Sequence, residues 1–516
     1  MAQELELKLA LRPRCLKQVV DLSWLKQFQI SVLSKHKLYS IYFDTPDLAL
    51  KTNNCSLRIR RDGNQWMQTI KSGGQITAGL HQHDEWEILL DDAHPDLRNI
   101  PDLNIRKLFR SPGLRAALQP VFVTQFTRRM QLLKLARGST IELCLDHGKI
   151  IVDKQTESIS EIELELKSGD PLELLDFSQM FIDNLPCTPR LENLNKAERG
   201  YRLYSHYSLA PCKAGDISFM PGVSLHLALK MIVQDCLEQL AKNEKGFLTV
   251  SDDIEYLHQM RVALRRLRAA FRILQQVFPN AGLSPLQKAL KWLTRQLNPA
   301  RDWDILVTET LPRAATSLPH PVLHLIGKQC RQLRETHRRH ARVSINSLRY
   351  TRLLIQLCSW LYKIDQDDML TRSGEPHPDV AHENARVTVI SLIADAHQKI
   401  IRDGKSMNML EAESLHVLRI HIKELRYLIE FFHSLFPRNA CKQQIAALSK
   451  LQDILGSIND CTVTQHLLDE IQIGKQTNKQ AEAIGIIRGW TFQRIEMQKL
   501  TLKETWENYV KSKPFW

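Results

Sequence analysis

Two periodicities divide the chain. In the first 210 residues short runs such as ELELKL, CSLRIRR, EWEILL, TIELCLD and EIELELK alternate apolar and charged positions, the period of β-strands. From about residue 225 apolar positions recur every three or four residues over long stretches, the period of helices. The pattern predicts an α+β chain of two domains, a strand domain over 1–205 and an all-α domain over 225–512. Between them YSLAPCKAGDISFMPGVS, ending at Ser224, holds two prolines and two glycines and reads as a linker over 206–224. A second interruption, DQDDMLTRSGEPHPD at 365–379, reads as a surface loop that splits the helical region into halves of about 225–364 and 380–512.

Alternation puts Glu4, Glu6 and Lys8 on one face of a strand and Leu5, Leu7 and Leu9 on the other. The same arrangement recurs at Arg58 and Arg60, at Glu85 and Glu87, at Glu142 and Asp146, and at Glu161, Glu163 and Glu165 followed by Lys167. A solvated sheet face usually mixes Thr, Ser, Gln and Lys, whereas here like charges are neighbours, which costs free energy unless opposite charge lies between them. A barrel with its charged faces inward resolves the conflict. Its contents would be a polyanion neutralised by Arg and Lys, and hard divalent cations, Mg²⁺ or Mn²⁺, held by carboxylate oxygens. A chain of phosphates suits both, because guanidinium forks match phosphate oxygens.

The helical half contains a repeat. HQMRVALRRLRAAFRILQQVFP from His258 and HVLRIHIKELRYLIEFFHSLFP from His416 align without a gap at an offset of 158, and the same offset sets LNPARDWD against LGSINDCT. In the first copy His258, Arg261, Arg265, Arg268 and Arg272 form one helical stripe without an acid. In the second, His416, Arg419, Lys423 and Arg426 repeat it, diluted by Glu424 and Glu430. Solvated faces intersperse acids with bases, so the stripe reads as an anion-binding surface. Asp302 and Asp460 either pair with the stripe or cap a helix. The run ETHRRHARVSINSLRYTRLL at 335–354, with His337, Arg338, Arg339, His340, Arg342, Arg349 and Arg352, reads as more of that surface, with a plain solvated helix as the alternative. Histidines among cations make poor metal ligands.

Composition sharpens this picture. The 516 residues are 25% charged and 43% hydrophobic, which fits two to three folded domains. The net charge of +13 is unevenly spread, with 28 basic against 26 acidic residues up to position 210 and 42 against 31 beyond it. The helical half therefore carries the attraction for anions. No window of about 20 residues is continuously apolar, and MAQELELKLA has charges where a signal peptide has its apolar core, so a cytoplasmic protein without a membrane segment is expected. Ten scattered cysteines with no CxxC pair read as reduced core thiols.

Glu4-Leu5-Glu6-Leu7-Lys8 has the form ExExK, and LRIR, TIK, EWE, FTRR, IELCLD, EIELEL and NKAERGY follow it in order. This series, over about residues 1–205, resembles the CYTH family of triphosphate tunnel metalloenzymes. The resemblance implies an eight-stranded antiparallel β-tunnel that hydrolyses or cyclises triphosphate compounds with Mg²⁺ or Mn²⁺. It implies metal-holding roles for Glu4, Glu6, Glu163 and Glu165, with Glu85, Glu87, Glu142 and Asp146 as further acidic tunnel residues. Arg58, Arg60, Lys71, Arg128 and Lys196 become phosphate ligands, with Arg129 able to exchange with Arg128 because the strand register is open. Catalysis would rest on Glu6, Glu165 and Lys8, the last binding substrate or acting with Tyr42. A core aromatic with a bonded hydroxyl is the alternative for Tyr42.

The helical repeat, over about residues 222–512, resembles the CHAD domain, two pseudo-symmetric four-helix halves associated with inorganic polyphosphate. Asn298 and Asn459 depart from that family's pattern in the segment that follows the stripe and put the role of that turn in doubt. Together the resemblances imply an inorganic triphosphatase with a polyphosphate-binding helical domain, placed in the cytoplasm and on polyphosphate granules. Inorganic triphosphate is preferred because no aromatic cage for a base or thiazolium is evident. Thiamine triphosphate and ATP, including cyclisation, stay open as substrates, as does a polyphosphate-localising protein with little hydrolase activity. Nucleic acid is disfavoured, since Trp292 and Trp303 read as core rather than as a stacking platform. The sequence leaves the oligomeric state open.

Overall fold

The computed structural model describes every residue except 1, 99, 101–102, 207–208, 251, 280, 366–383, 406–410 and 473–476. The expected surface loop at 365–379 thus lies outside the described residues save for Asp365. The chain divides into two compact units, one of residues 1–210 with 346–363, the other of 211–345 with 364–516.

The first unit is built on β1 (Ala2–Ala10), β2 (Ser34–Asp44), β3 (Cys55–Asp62), β4 (Gln65–Thr77), β5 (Leu80–Leu90), β6 (Gln119–Lys134), β7 (Thr140–Val152) and β8 (Gln155–Ser168), with a two-residue β9 (Arg190–Leu191) beside β1. The order β5-β4-β3-β2-β6-β7-β8-β1 closes through β1 and β5 into an eight-stranded antiparallel barrel. As the alternation requires, Leu5, Leu7 and Leu9 point away from the lumen while Glu6 and Lys8 point into it, and both sets are buried. The outward apolar faces are covered. Leu57, Ile59 and Ile70 pack with Ile100, Ile105 and Phe109. Phe122, Phe126 and Ile150 instead share the inward face of Arg128 and Asp146 and pack there with Tyr42 and Tyr201.

Tyr201 lies on α2 (Lys196–Tyr204), which follows α1 (Pro171–Asp183). An Asn195–Glu198 capping box fixes the start of α2 and so the position of Lys196, its first residue. Gly200 lets the helix lie against Phe122, since a Cβ there would stand 2.1 Å from the ring.

The second unit holds α3 (Leu225–Thr249), α4 (Glu255–Val277), α5 (Ser284–Ile305) and α6 (Gly327–Ile345). After α7 (Leu348–Asp365), most of which belongs to the first unit, come α8 (Ala385–Lys405), α9 (Ala412–Phe432), α10 (Arg438–Gln472) and α11 (Asn478–Lys511). The repeat therefore gives two four-helix halves, with α4 and α9 as its basic stripes. Trp303, Ile326, Leu468, Ile471, Ile484 and Ile487, from both halves, share one core.

The segment preceding the second unit is irregular over 209–220, as a linker should be, yet it is tied down. The Cys212 amide donates to Asn243 Oδ1 at 3.0 Å and the Gly215 amide to Asp235 Oδ1 at 2.9 Å. All ten cysteines are thiols, as expected. Among the described residues no helix is long and apolar enough to cross a membrane.

One expectation is corrected. LNPARDWD is no turn, because α5 runs through it with Pro299 inside, so Asp302 and, on α10, Asp460 lie within helices and cap neither. The basic run at 335–354 spans the end of α6 and the start of α7, and three of its cations are engaged: Arg338 is fully buried and donates to Asp304 at 2.7 Å, His337 meets Glu470 at 2.9 Å and Arg352 meets Asp183 at 2.6 Å, while Arg339 and His340 are exposed. Trp303 beneath it is fully buried core, as expected.

Candidate functional site

Strand register arranges the lumen in rows. Glu142 pairs with Glu165 and Glu165 with Glu6, a row of three carboxylates across β7, β8 and β1. The next row is Cys144, Glu163 and Lys8, and the next is Arg128, Asp146 and Glu161. On the facing strands Tyr42 pairs with Arg58, Ser40 with Arg60 and Lys71 with Glu85. Every one of these positions comes from the period-two pattern.

Ion pairs fill the middle of the lumen. Glu163 accepts from Lys8, Arg128 and Lys196, the last at 2.8 Å, and Lys8 also lies 2.7 Å from Glu6. Asp146 takes Arg128 at 2.6 Å and Lys196 at 2.7 Å, and Glu161 takes Lys196 and, at 2.9 Å, Arg199. Burial works against the Glu163 carboxylate, but Lys196, Lys8 and Arg128 hold it well below the usual range. For Lys8 burial is likewise outweighed, by Glu163, Glu6 and Glu161, so its ammonium stays charged. Near β5, Arg58 reaches Glu85 at 3.2 Å and Glu87 at 3.9 Å, and Lys71 reaches Glu4 and, at 3.4 Å, Glu85.

Two groups are left over, one of each sign. Arg60 donates to Ser40 Oγ at 3.2 Å and has no ion-pair partner among the described residues. Burial, then Arg58 and Arg128, pull it down to about 10. At the carboxylate row, burial and then Glu4 push Glu165 up to about 7, although Lys167 lies 2.8 Å away. An anion beside Arg60 and a cation beside Glu165 would relieve both.

Glu4, Glu6, Lys8, Tyr42, Arg58, Arg60, Lys71, Arg128, Glu163 and Lys196 line one cavity of about 340 Å³. Glu85, Glu87, Glu142, Asp146 and Glu165 stand behind or beside that lining and not in it. Arg128, and not Arg129, carries the lumen ion pairs. Tyr42 lines the cavity and stacks on Phe122 at 4.4 Å. Sequence reasoning placed Glu161 on the charged inward face but gave it no role in the site, and it missed Arg199, which lies one helical turn beyond Lys196. It also missed His83, which the alternation around Glu85 places inward.

Asp146, Glu161 and Glu163 bring three oxygen ligands within 4.8 Å of one another. Lysines and arginines already engage all three; the carboxylate row with Glu4 sets four acids, Glu4, Glu6, Glu142 and Glu165, against Lys8, Lys71 and Lys167, two of which are shared with Glu163 and Glu85. Oxygen donors of this kind fit a hard divalent cation.

In the helical unit α4 and α9 turn their stripes into a second cavity of about 940 Å³. His258, Arg261, Arg265, Arg268, Arg272, His416, Arg419 and Lys423 all line it, as do Asp302 and Asp460. Arg426 does not: it turns away, 3.3 Å from Glu430. Arg261 donates to Asn298 Oδ1 at 2.5 Å and Arg265 to the Tyr427 hydroxyl at 3.3 Å. Neither these two nor Arg419 has an ion-pair partner among the described residues, and Nε of Arg261 and of Arg419 is buried without a hydrogen bond. Burial, with Arg265 and Arg301 against the pull of Asp302, lowers Arg261 to about 10. Burial and then Arg301 lower His258 to about 4. Asp302 is raised by burial and by Asp460 despite Arg261; it lines the cavity with the stripe but makes no ion pair with it among the described residues.

Comparison with known proteins matches the barrel to the CYTH domain over residues 2–201 and the helices to the CHAD domain over 231–469. An inorganic triphosphatase of Haemophilus influenzae is 34% identical over 209 residues, 40% of this chain and 56% of that protein, so the match spans about half of the relative's length. The crystal structure of the CHAD domain from the plant Ricinus communis is 29% identical, covers 59% of this chain and 98% of that one, and superposes with a TM-score of 0.52. The ordered charged strands and the histidine-headed stripes thus have their counterparts in two families, and the chain belongs to both, a CYTH domain followed by a CHAD domain.

Proposed function

We propose that the barrel hydrolyses inorganic triphosphate to diphosphate and phosphate with a divalent metal, Mg²⁺ or Mn²⁺, and that the helical cavity binds inorganic polyphosphate. The observation that carries the reading is a pair of strained charges on one lumen, the Arg60 guanidinium, which has no ion-pair partner among the described residues, and the Glu165 carboxylate, which burial and Glu4 push up although Lys167 lies beside it. A phosphate chain alone answers the first and leaves the second, and a metal alone does the reverse.

In this reading Arg58, Arg60, Lys71, Arg128 and Lys196 grip the phosphate oxygens, exchanging ion pairs to Glu and Asp for pairs to substrate. Lys8, held charged by Glu6 and Glu163, neutralises the phosphate undergoing attack. Glu4, Glu6 and Glu165 would hold the metal, with Glu142 beside them, and a bound cation there supplies charge neutralisation and a more acidic water. Tyr42, packed on Phe122, orients Arg58. The inorganic ion is favoured over thiamine triphosphate or ATP because the lining contains few aromatic rings to receive a base. A cytoplasmic location, partly on polyphosphate granules, follows from such ligands.

The test is phosphate release from inorganic triphosphate, ATP, thiamine triphosphate and long-chain polyphosphate, each with Mg²⁺, Mn²⁺ or chelator. Metal-dependent release fastest on inorganic triphosphate is expected. Release that survives the chelator, or none with any of the four, overturns the hydrolase reading.

A further inference from the structure

The two repeat copies preserve the charge of the stripe but not its chemistry. The position of Arg265 in the first copy is Lys423 in the second. A guanidinium does not give up its proton inside a protein, whereas an ammonium does. Lys423 is half-buried on the wall of the 940 Å³ cavity and has no ion-pair partner among the described residues. Facing it are Arg261 and Arg265 from α4, Arg419 from its own helix and Asp460 from α10. The carboxylate is outweighed: burial, then Arg419 and Arg265, pull the amine down to about 6. At pH 7.5 it is almost wholly neutral, whereas an exposed lysine is neutral at roughly one part in a thousand. The cavity therefore pairs a nucleophilic amine with an environment that concentrates anions.

We propose that Lys423 is a modification site for acyl phosphates, small anionic acyl donors whose phosphate the guanidinium groups hold while the amine takes the acyl group. The Nζ lone pair attacks the carbonyl carbon and a C–N bond forms. The C–O bond to phosphate breaks, its electron pair leaves with the phosphate, and the amine proton leaves with it. The products are an amide on Lys423 and inorganic phosphate, with nothing oxidised or reduced. Arg261, Arg265 and Arg419 stabilise the leaving phosphate as they would any phosphate. Acylation fills part of the cavity and prevents the charge that Lys423 would take up beside a bound polyanion, so it lowers polyphosphate affinity. This inference rests on the reading of the helical cavity as an anion site.

The experiment incubates the full chain at pH 7.5 with acetyl phosphate and follows each lysine by peptide mass spectrometry, with and without long-chain polyphosphate. Lys423 should be acetylated roughly tenfold faster than exposed lysines such as Lys17 and Lys291, and polyphosphate should slow Lys423 alone. An uncharged acyl donor should show a smaller preference. A rate for Lys423 at or below that of the exposed lysines overturns the proposal, and an equal preference with the uncharged donor overturns the role of phosphate capture. Lys423→Arg lacks the amine, so whatever its own affinity for polyphosphate, that affinity should not fall on acetyl phosphate treatment, whereas the wild type's should. Polyphosphate titration of the untreated protein tests the anion reading separately. Fast acetylation without polyphosphate binding sinks that reading alone, and binding with slow acetylation sinks the proposal alone.

Discussion

Glu163 is one buried carboxylate shared by three cations, Lys8, Arg128 and Lys196. Glu163→Gln leaves those cations facing one another and should destabilise the barrel by about 3 kcal/mol. Added triphosphate should restore more stability to this variant than to the wild type, because the ligand returns the missing negative charge. Thermal unfolding with and without triphosphate in chelator reads both effects. Glu165 behaves in the opposite sense. Its pKa is near 7 folded and 4.5 unfolded, so the folded state binds the extra proton between those values. Its contribution is therefore fully present below pH 4.5 and is lost as pH rises toward 7, by about 2–3 kcal/mol. In chelator, the protection of the β8 amides relative to their intrinsic exchange rates should fall across that window in the wild type, and Glu165→Gln should flatten the trend.

At the scale of elements, the bulge in β4 shows how backbone shapes the lumen. Register shifts between Ser72 and Gln75, where Gly73 and Gly74 take positive φ, and a Cβ on Gly74 would stand 2.2 Å from His83 Nδ1. Gly74→Ala should cost about 2 kcal/mol through strain and displacement of the His83 ring, visible as a lower midpoint of thermal unfolding. Period-two alternation made the inward set legible from EIELEL and its relatives, because every charged residue on a face had to go somewhere together. It could not say which carboxylates already had partners. Lys196 and Arg199 reach the lumen from a helix after the last long strand, and only the fold brings them to Glu161 and Glu163. The same limit applies within the basic run, where Arg338 is charged in sequence and fully buried against Asp304 in space. Arg426 kept its place in the stripe pattern, but one short i,i+4 pair with Glu430 draws it off.

At the scale of the molecule, charges of both signs converge in the barrel, and cations dominate the helical cavity. On the proposed reading the first holds a salt of phosphate and metal, and the second an anion that brings few counter-ions. Arg261→Glu with Arg265→Glu should weaken long-chain polyphosphate binding roughly tenfold or more at 0.15 M salt and make its salt dependence shallower. Titration at several salt concentrations, with an unchanged circular dichroism spectrum, measures this. Equal binding in the variant would make the stripe mere surface.

Helix α7 carries a different consequence. It lies between the two helical halves in sequence, yet Thr351 donates to the Pro189 carbonyl at 2.8 Å, Arg352 pairs with Asp183, and Cys358 Sγ donates to the Thr77 carbonyl at 3.2 Å. During synthesis all eight long strands leave the ribosome well before this helix does. The barrel must then wait, with apolar wall still uncovered, while the whole first helical half is translated, so the nascent chain is most exposed to aggregation and to chaperones in that interval.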